Sequence, residues 1–207
     1  MNIRGFMFFA LILSVFVIFG GCTTTPPPTS QSIPGTPQPV PSVQQPVQPA
    51  ASLSGTLTLT VDSLSPGASL PQVYTCDGAG ESPKVSWSGI PAGTKSLVLI
   101  VDDPDISNGT FTHWLVYNIP PESGELEQGQ TNAKVLSNDA QQGESSNGFR
   151  GYYYPCPPPG LTHRYIFRLY AADIYIALPT ADRAAIDQAL SGHVLEKTEF
   201  TTTYTRK

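Results

Sequence analysis

Apolar and polar residues alternate along Leu57-Thr58-Leu59-Thr60-Val61, which predicts a strand with one buried face. Val85-Ser86-Trp87 repeats the pattern with its indole on the apolar side, where a large aromatic packs a core more often than it touches a ligand. Ser96-Leu97-Val98-Leu99-Ile100-Val101 does not alternate, so it reads as a strand buried on both faces. Trp114 to Ile119 is a further strand ended by Pro120-Pro121. Arg164 to Ala172 alternates, with Tyr165, Phe167 and Leu169 on one face and Ile166, Arg168 and Tyr170 on the other. Leu70 to Tyr74 reads as a short extended piece, and Phe200 to Tyr204 as the last strand. One helix is expected from Thr180 to about Leu190, with Thr180 as N-cap and Gly192 near its end. Many strands and a late helix predict an all-β chain, a β-sandwich with one or two short peripheral helices near the C-terminus. The polar segment from Glu122 to Gly148 is too long for a hairpin and is expected to wander over the surface.

The N-terminal part has another character. Arg4 is the only charge before an almost wholly apolar run from Phe6 to Phe19, which Gly20-Gly21-Cys22 follows. A positive start, a short apolar core and small residues before a cysteine describe an export signal over residues 1–21. Cys22 is the candidate lipid-attachment residue, with an uncleaved anchor as the alternative; both place the protein outside the cytoplasm, on the outer face of the cell membrane. Residues 22–52 are rich in Pro, Gln and Thr and contain no charged side chain, so they are expected to form a disordered, extended tether. Residues 53–207 remain as one domain.

The net charge of −5 argues against nucleic acid as a partner. If Cys22 carries lipid, Cys76 and Cys156 are left as an even pair in an oxidising compartment, where a disulfide is the default expectation and two separate buried thiols the alternative. No closely spaced cysteine pair or adjacent histidine suggests a metal, and no cofactor motif stands out.

Chemistry concentrates in two stretches, Asp102 to Trp114 (D-D-P-D-I-S-N-G-T-F-T-H-W) and Tyr154 to Tyr165 (Y-P-C-P-P-P-G-L-T-H-R-Y), which are expected to meet. Pro104 fixes the chain direction between two acids and is of the kind that can be cis. Asp103, Asp105, His113, His163 and Tyr165 are the candidates for one cavity. Imidazole and phenol groups donate to an anion's oxygens, while a carboxylate fixes an imidazole tautomer. Asp102 is read as a third pocket acid or a backbone cap, and His193 as structural, with no partner acid evident. Asn108-Gly109-Thr110 is a glycosylation sequon or simply a turn.

The motifs Tyr74-Thr75-Cys76-Asp77-Gly78, Ser82-Pro83-Lys84-Val85-Ser86-Trp87, Asp102-Asp103-Pro104-Asp105, His113-Trp114, Pro155-Cys156-Pro157-Pro158-Pro159-Gly160 and His163-Arg164-Tyr165 resemble those of the phosphatidylethanolamine-binding protein family, in its bacterial and archaeal Raf-kinase-inhibitor-like (YbhB/YbcL) branch. The likeness extends over residues 56 to 206, in order. It implies two antiparallel sheets with a small anion pocket at one end, lined by Asp103, Asp105, His113, His163 and Tyr165. It also implies a binding role toward a phosphate or phosphoryl head group, and inhibition of a kinase or protease as a further expectation. Where the family commonly carries glycine before the Pro-Cys-Pro run, this chain has Tyr154, which is expected to narrow the pocket mouth or block a backbone approach.

Three other readings compete with a binding module. A hydrolase would use the Asp and His groups, with Asp103 and Asp105 as a glycosidase-like pair, although the chain has no Gly-x-Ser-x-Gly elbow. A metal site would use His113, His163 and one aspartate. A structural surface protein would keep only a vestigial pocket. The expectation is a binding protein and not an enzyme.

Overall fold

The uninterrupted apolar run becomes β3 (Ser96–Asp103), the middle strand of a sheet, and all its residues are buried. Strands β1 (Thr58–Val61), β2 (Val85–Ser88), β4 (Phe111–Ile119), β5 (Glu125–Leu126), β6 (Gln141–Gln142), β7 (Thr162–Ala172) and β8 (Val194–Thr205) complete the β structure. A computed structural model describes residues 56–207, so the expected signal, the tether and Cys22 lie outside the described residues. The strands form two antiparallel sheets with the orders β1-β2-β5 and β6-β4-β3-β7-β8.

Alternation along β3 explains why both its faces are apolar. Leu97, Leu99 and Val101 face the smaller sheet and pack with Trp114, Val116, Phe167 and Leu169, and with Val61, Val85, Trp87 and Leu126 across the sandwich. Trp87 is therefore a core residue, as its position in the pattern suggested. Val98 and Ile100 face the other way, toward Leu115, Tyr117, Ile186 and Leu190. This second core is covered by helix α1 (Arg183–Leu190), whose eight residues would not hold a helix without such packing. Full burial of a side chain such as Ile186 contributes about 1.5–3 kcal/mol.

The sequence expectation placed several boundaries differently. The N-cap of α1 is Asp182, whose carboxylate accepts from Ala185 N at 2.8 Å, and not Thr180. Ala181 still belongs to the extended connection, since its carbonyl accepts from Glu144 N at 2.8 Å. Leu70 to Tyr74 is not continuously extended but ends in a 3-10 turn at Gln72–Tyr74, closed by Thr75 N and Oγ1 donating to Gln72 O. Strands β3, β4, β7 and β8 run beyond their apolar stretches, because ladder hydrogen bonds need only backbone. The polar segment holds the two-residue strands β5 and β6 and is tied down by Gln142. The buried Gln142 accepts from Trp114 Nε1 at 2.8 Å and donates to the carbonyls of Thr131 and Ala133 at 2.7 and 2.8 Å.

Asp102 is neither a pocket acid nor a backbone cap. Its fully buried side chain lies on the α1 face of the sheet, where it accepts from Thr112 Oγ1 at 2.8 Å, from Arg168 at 2.5 Å and from Arg183. One carboxylate thus ties β4, β7 and α1 together. The Asp102→Asn substitution leaves two guanidinium groups facing a neutral amide. It should cost about 3 kcal/mol in a denaturant titration, the low end for breaking a buried pair because both arginines keep a path to water.

Candidate functional site

The site is built at one end of the larger sheet, on the three neighbouring strands β4, β3 and β7. Asp103 follows Asp102 and so points to the opposite face, toward the sandwich interior. His163 and Tyr165 alternate on the same face of β7. His113 reaches it by a bulge: Val101 pairs with Trp114 and Asp102 pairs with Thr112, so one extra residue, His113, is inserted in β4. The bulge lets His113 face the cavity while Trp114 remains in the core.

Both carboxylate oxygens of Asp103 have defined partners. Its Oδ1 accepts from Asp105 N at 2.8 Å, which shapes the turn after β3. Its Oδ2 accepts from His163 Nδ1 at 2.7 Å and lies 4.0 Å from His113 Nε2. The proton of His163 is therefore on Nδ1, and Nε2 is the atom with which the ring can meet a ligand. His113 donates from Nδ1 to Tyr153 O at 2.6 Å, and Tyr153 N donates back to His113 O at 2.9 Å. Burial pushes the His113 pKa below its ordinary value, against the opposing pull of the Tyr153 hydrogen bond and Asp103. Tyr165 stands edge-on to His113 at 5.2 Å, and its buried hydroxyl has no protein partner. Burial also raises the Tyr165 pKa, so the phenol stays protonated and remains a donor.

Asp105 is held differently. Its carboxylate accepts from Arg164 Nε at 2.9 Å, from Arg164 Nη2 at 2.5 Å and from Arg164 N at 2.8 Å. The side-chain hydrogen bonds from Arg164 bring its pKa down to about 2. A carboxyl group so firmly ionised is unsuited to donate a proton, so Asp105 is not the acid of a glycosidase-like pair. Pro104 is trans, since no cis peptide occurs among the described residues. Among the same residues, no group of three or more His, Cys, Asp or Glu is placed to hold a metal ion.

All five expected residues line one cavity of about 480 Å³, together with Tyr154. Sequence reasoning missed its apolar walls: Phe111 and Tyr153 on one side, Ile106 and Leu161 elsewhere on the rim. The signal available was the run Tyr152-Tyr153-Tyr154 before the Pro-Cys-Pro motif. The Tyr154 ring lines the cavity and stacks on Tyr153, with centroids 5.4 Å apart and planes 12° from parallel. It also lies over Gly80, where an added Cβ would fall 2.6 Å from Tyr154 Cδ1. Gly80 adopts φ +68°, so glycine is required there by backbone as well as space. Cys76 and Cys156 form the expected disulfide with Cα atoms 5.3 Å apart, and it joins the Gly80 loop to the cavity wall. His193 is far along the chain from this cavity and does have an acid partner, Asp173, 2.9 Å from Nδ1. Asn108 lies in an exposed turn, with Gly109 at φ +93°.

A sequence model of the phosphatidylethanolamine-binding protein family matches residues 60–205. The chain belongs to this family. A UPF0098 protein of Methanothermobacter thermautotrophicus is 45% identical over 138 residues, covering 66% of this chain and 91% of the relative. LppC of Mycobacterium tuberculosis, whose name describes it as a lipoprotein, is 37% identical over 186 residues, covering 87% of this chain and 88% of its own length. Among solved structures, the phosphatidylethanolamine-binding protein homologue CT736 of Chlamydia trachomatis is 36% identical with a TM-score of 0.68, covering 74% of this chain and all (100%) of that one. YbcL of E. coli, titled a member of the mammalian PEBP family, is 29% identical with a TM-score of 0.67, covering 73% of this chain and 99% of its own. The resemblance carried by the Asp-Pro-Asp, His-Trp and His-Arg-Tyr motifs is thus a family relationship. The two-sheet antiparallel architecture agrees with these structural neighbours of the family.

The buried neutral state of His113 makes the fold sensitive to acid. Its folded pKa lies below the ordinary 6.5, so the unfolded chain takes up the proton first as pH falls. The stability contribution is whole above 6.5 and is lost as pH falls from 6.5 to the folded pKa, by up to about 1.4 kcal/mol per unit. Denaturant titrations at pH 7.5, 6.5 and 5.5 should show this slope in the wild type and a shallower one in His113→Gln. The Asp105 contribution is separate, being lost between 3.8 and about 2.

Proposed function

We propose that this member of the phosphatidylethanolamine-binding protein family is an exported, membrane-tethered binding protein whose cavity takes a small anion of the phosphate or phosphoryl type. The observation that carries this reading is the orphaned Tyr165 hydroxyl in the same cavity as His113 and His163. A buried donor without a partner costs free energy unless something fills the role, and an anion's oxygen would do so. His163 would meet the same anion through Nε2 in its protonated form, with Asp103 holding Nδ1 and balancing the imidazolium charge. Arg164 neutralises Asp105 at the mouth, which reduces the repulsion that two aspartates would exert.

The tethered location follows from the charge-free segment 22–52 and from Cys22 after an apolar leader. Support comes from LppC, since that match spans more of this chain than the folded domain alone. Inhibition of a kinase or protease would run through the same mouth, where Tyr154 and Leu161 are exposed.

Calorimetric titration with inorganic phosphate and glycerol phosphate tests the anion reading. His163→Ala removes a charge-assisted hydrogen bond and should weaken binding about 10- to 100-fold; Tyr165→Phe removes a neutral donor and should weaken it about 3- to 10-fold. Absence of heat with either anion in the wild-type protein would sink the proposal.

A further inference from the structure

β3 runs from Ser96 to Asp103, so at about 3.3 Å per residue its two ends lie about 23 Å apart. The cavity occupies the Asp103 end. At the Ser96 end, the chain that leaves β7 crosses the sheet as a strap. Asp173 N donates to His193 O at 3.1 Å, just before β8, and Ser96 Oγ donates to Ile174 O at 2.6 Å. Asn118, near the end of β4, exchanges two hydrogen bonds with the backbone of Ile176, at 2.7 and 2.8 Å. Between these pins stands Tyr175, 66% exposed, the most exposed large apolar side chain among the described residues.

Beside the strap the β7–β8 ladder slips by one residue, since Ala171 pairs with Glu196 but Ala172 with Val194. Leu195 is therefore the inserted residue of a bulge. It lies over the turn before β3, where a Cβ on Gly93 would fall 3.9 Å from Leu195 Cδ1. Val194 and Leu195 are 40% and 44% exposed. Single exposed apolar residues are ordinary on a protein surface. These three, however, share one end of the sheet with the entry of the N-terminal segment: Leu57 N donates to Glu196 Oε1 at 3.0 Å, next to Leu195. The segment that carries the candidate lipid-attachment residue Cys22 thus joins the domain at the end opposite the cavity.

Charge at this end is balanced, Lys95 and Lys197 standing against Asp173 and Glu196, so a lipid contact here would not depend on anionic head groups. Phenol rings favour the membrane–water boundary, where one end of the ring is apolar and the other wet. A tether would hold the domain near its membrane at an effective concentration of about millimolar, so a contact of a few side chains suffices to orient it. We propose that the Ser96 end of the sandwich rests on the lipid surface, with Tyr175, Val194 and Leu195 in the head-group layer and the cavity opening away from the membrane. This goes beyond the binding reading and rests on its tethered part.

The test uses the full chain reconstituted into phosphatidylcholine vesicles with brominated acyl chains, which quench a nearby indole. Fluorescence of Tyr175→Trp should be quenched about 3-fold more than that of Leu161→Trp at the cavity mouth, because interfacial side chains enter about 5–10 Å into the boundary. Trp87 and Trp114 are buried, and the wild type measures their background. Adding Val194→Ser and Leu195→Ser to Tyr175→Trp should bring its quenching down to the Leu161→Trp level, with thermal unfolding as the control for folding. Equal quenching of the two reporters overturns the proposal and leaves the tether in place. Stronger quenching of Leu161→Trp overturns it by turning the cavity toward the lipid, and quenching unchanged by the two serines overturns the contact as assigned. A full chain that does not float with the vesicles removes the tethered reading and this inference with it.

Discussion

Successive side chains of a strand point to opposite faces, and in β3 that rule divides the labour of two adjacent carboxylates. Asp102 turns toward α1 and binds Arg168, Arg183 and Thr112. Asp103 turns inward and organises His163 and the Asp105 turn. Neither could take the other's role without a register shift of one residue, which would also turn Leu97, Leu99 and Val101 out of the sandwich core. The apolar register of β3 therefore holds the polar site in place, and the cost of disturbing one is the loss of both.

The bulge in β4 is the second half of this arrangement. Regular alternation would have placed His113 and Trp114 on opposite faces. The inserted residue allows the imidazole to line the cavity while the indole stays buried and donates to Gln142. Backbone bonds to Tyr153 then fix both the histidine tautomer and the aromatic wall beside it. The polar floor of the cavity and its aromatic wall are in this way joined by a single pair of residues.

Charge in the site is managed by pairing at its edge and burial at its floor. Asp105 is kept ionised by Arg164 at the mouth, whereas His113 is kept neutral by burial. The Tyr165 phenol remains protonated and unpartnered. Such a constellation places donors and the carboxylate that orients them around one cavity.

Much of this was determined by local sequence. The unbroken apolar run at 96–101 meant a strand buried twice over, and the alternation of 164–172 placed Tyr165 on the core side. Motif order was enough to bring Asp103, Asp105, His113, His163 and Tyr165 to one cavity, because each sits at a strand end whose pairing follows from the family likeness. The tertiary structure alone decided the rest. It showed that Asp102 is a helix anchor, since its partners lie 66 and 81 residues away. It found an acid for His193 in Asp173, 20 residues back. It also placed Tyr154 against Gly80 and Tyr153 in the wall of the cavity. Period and composition report which face a residue shares with its near neighbours. They do not report which distant side chain will be waiting there, because that depends on strand order, on one inserted residue and on a bridge between loops.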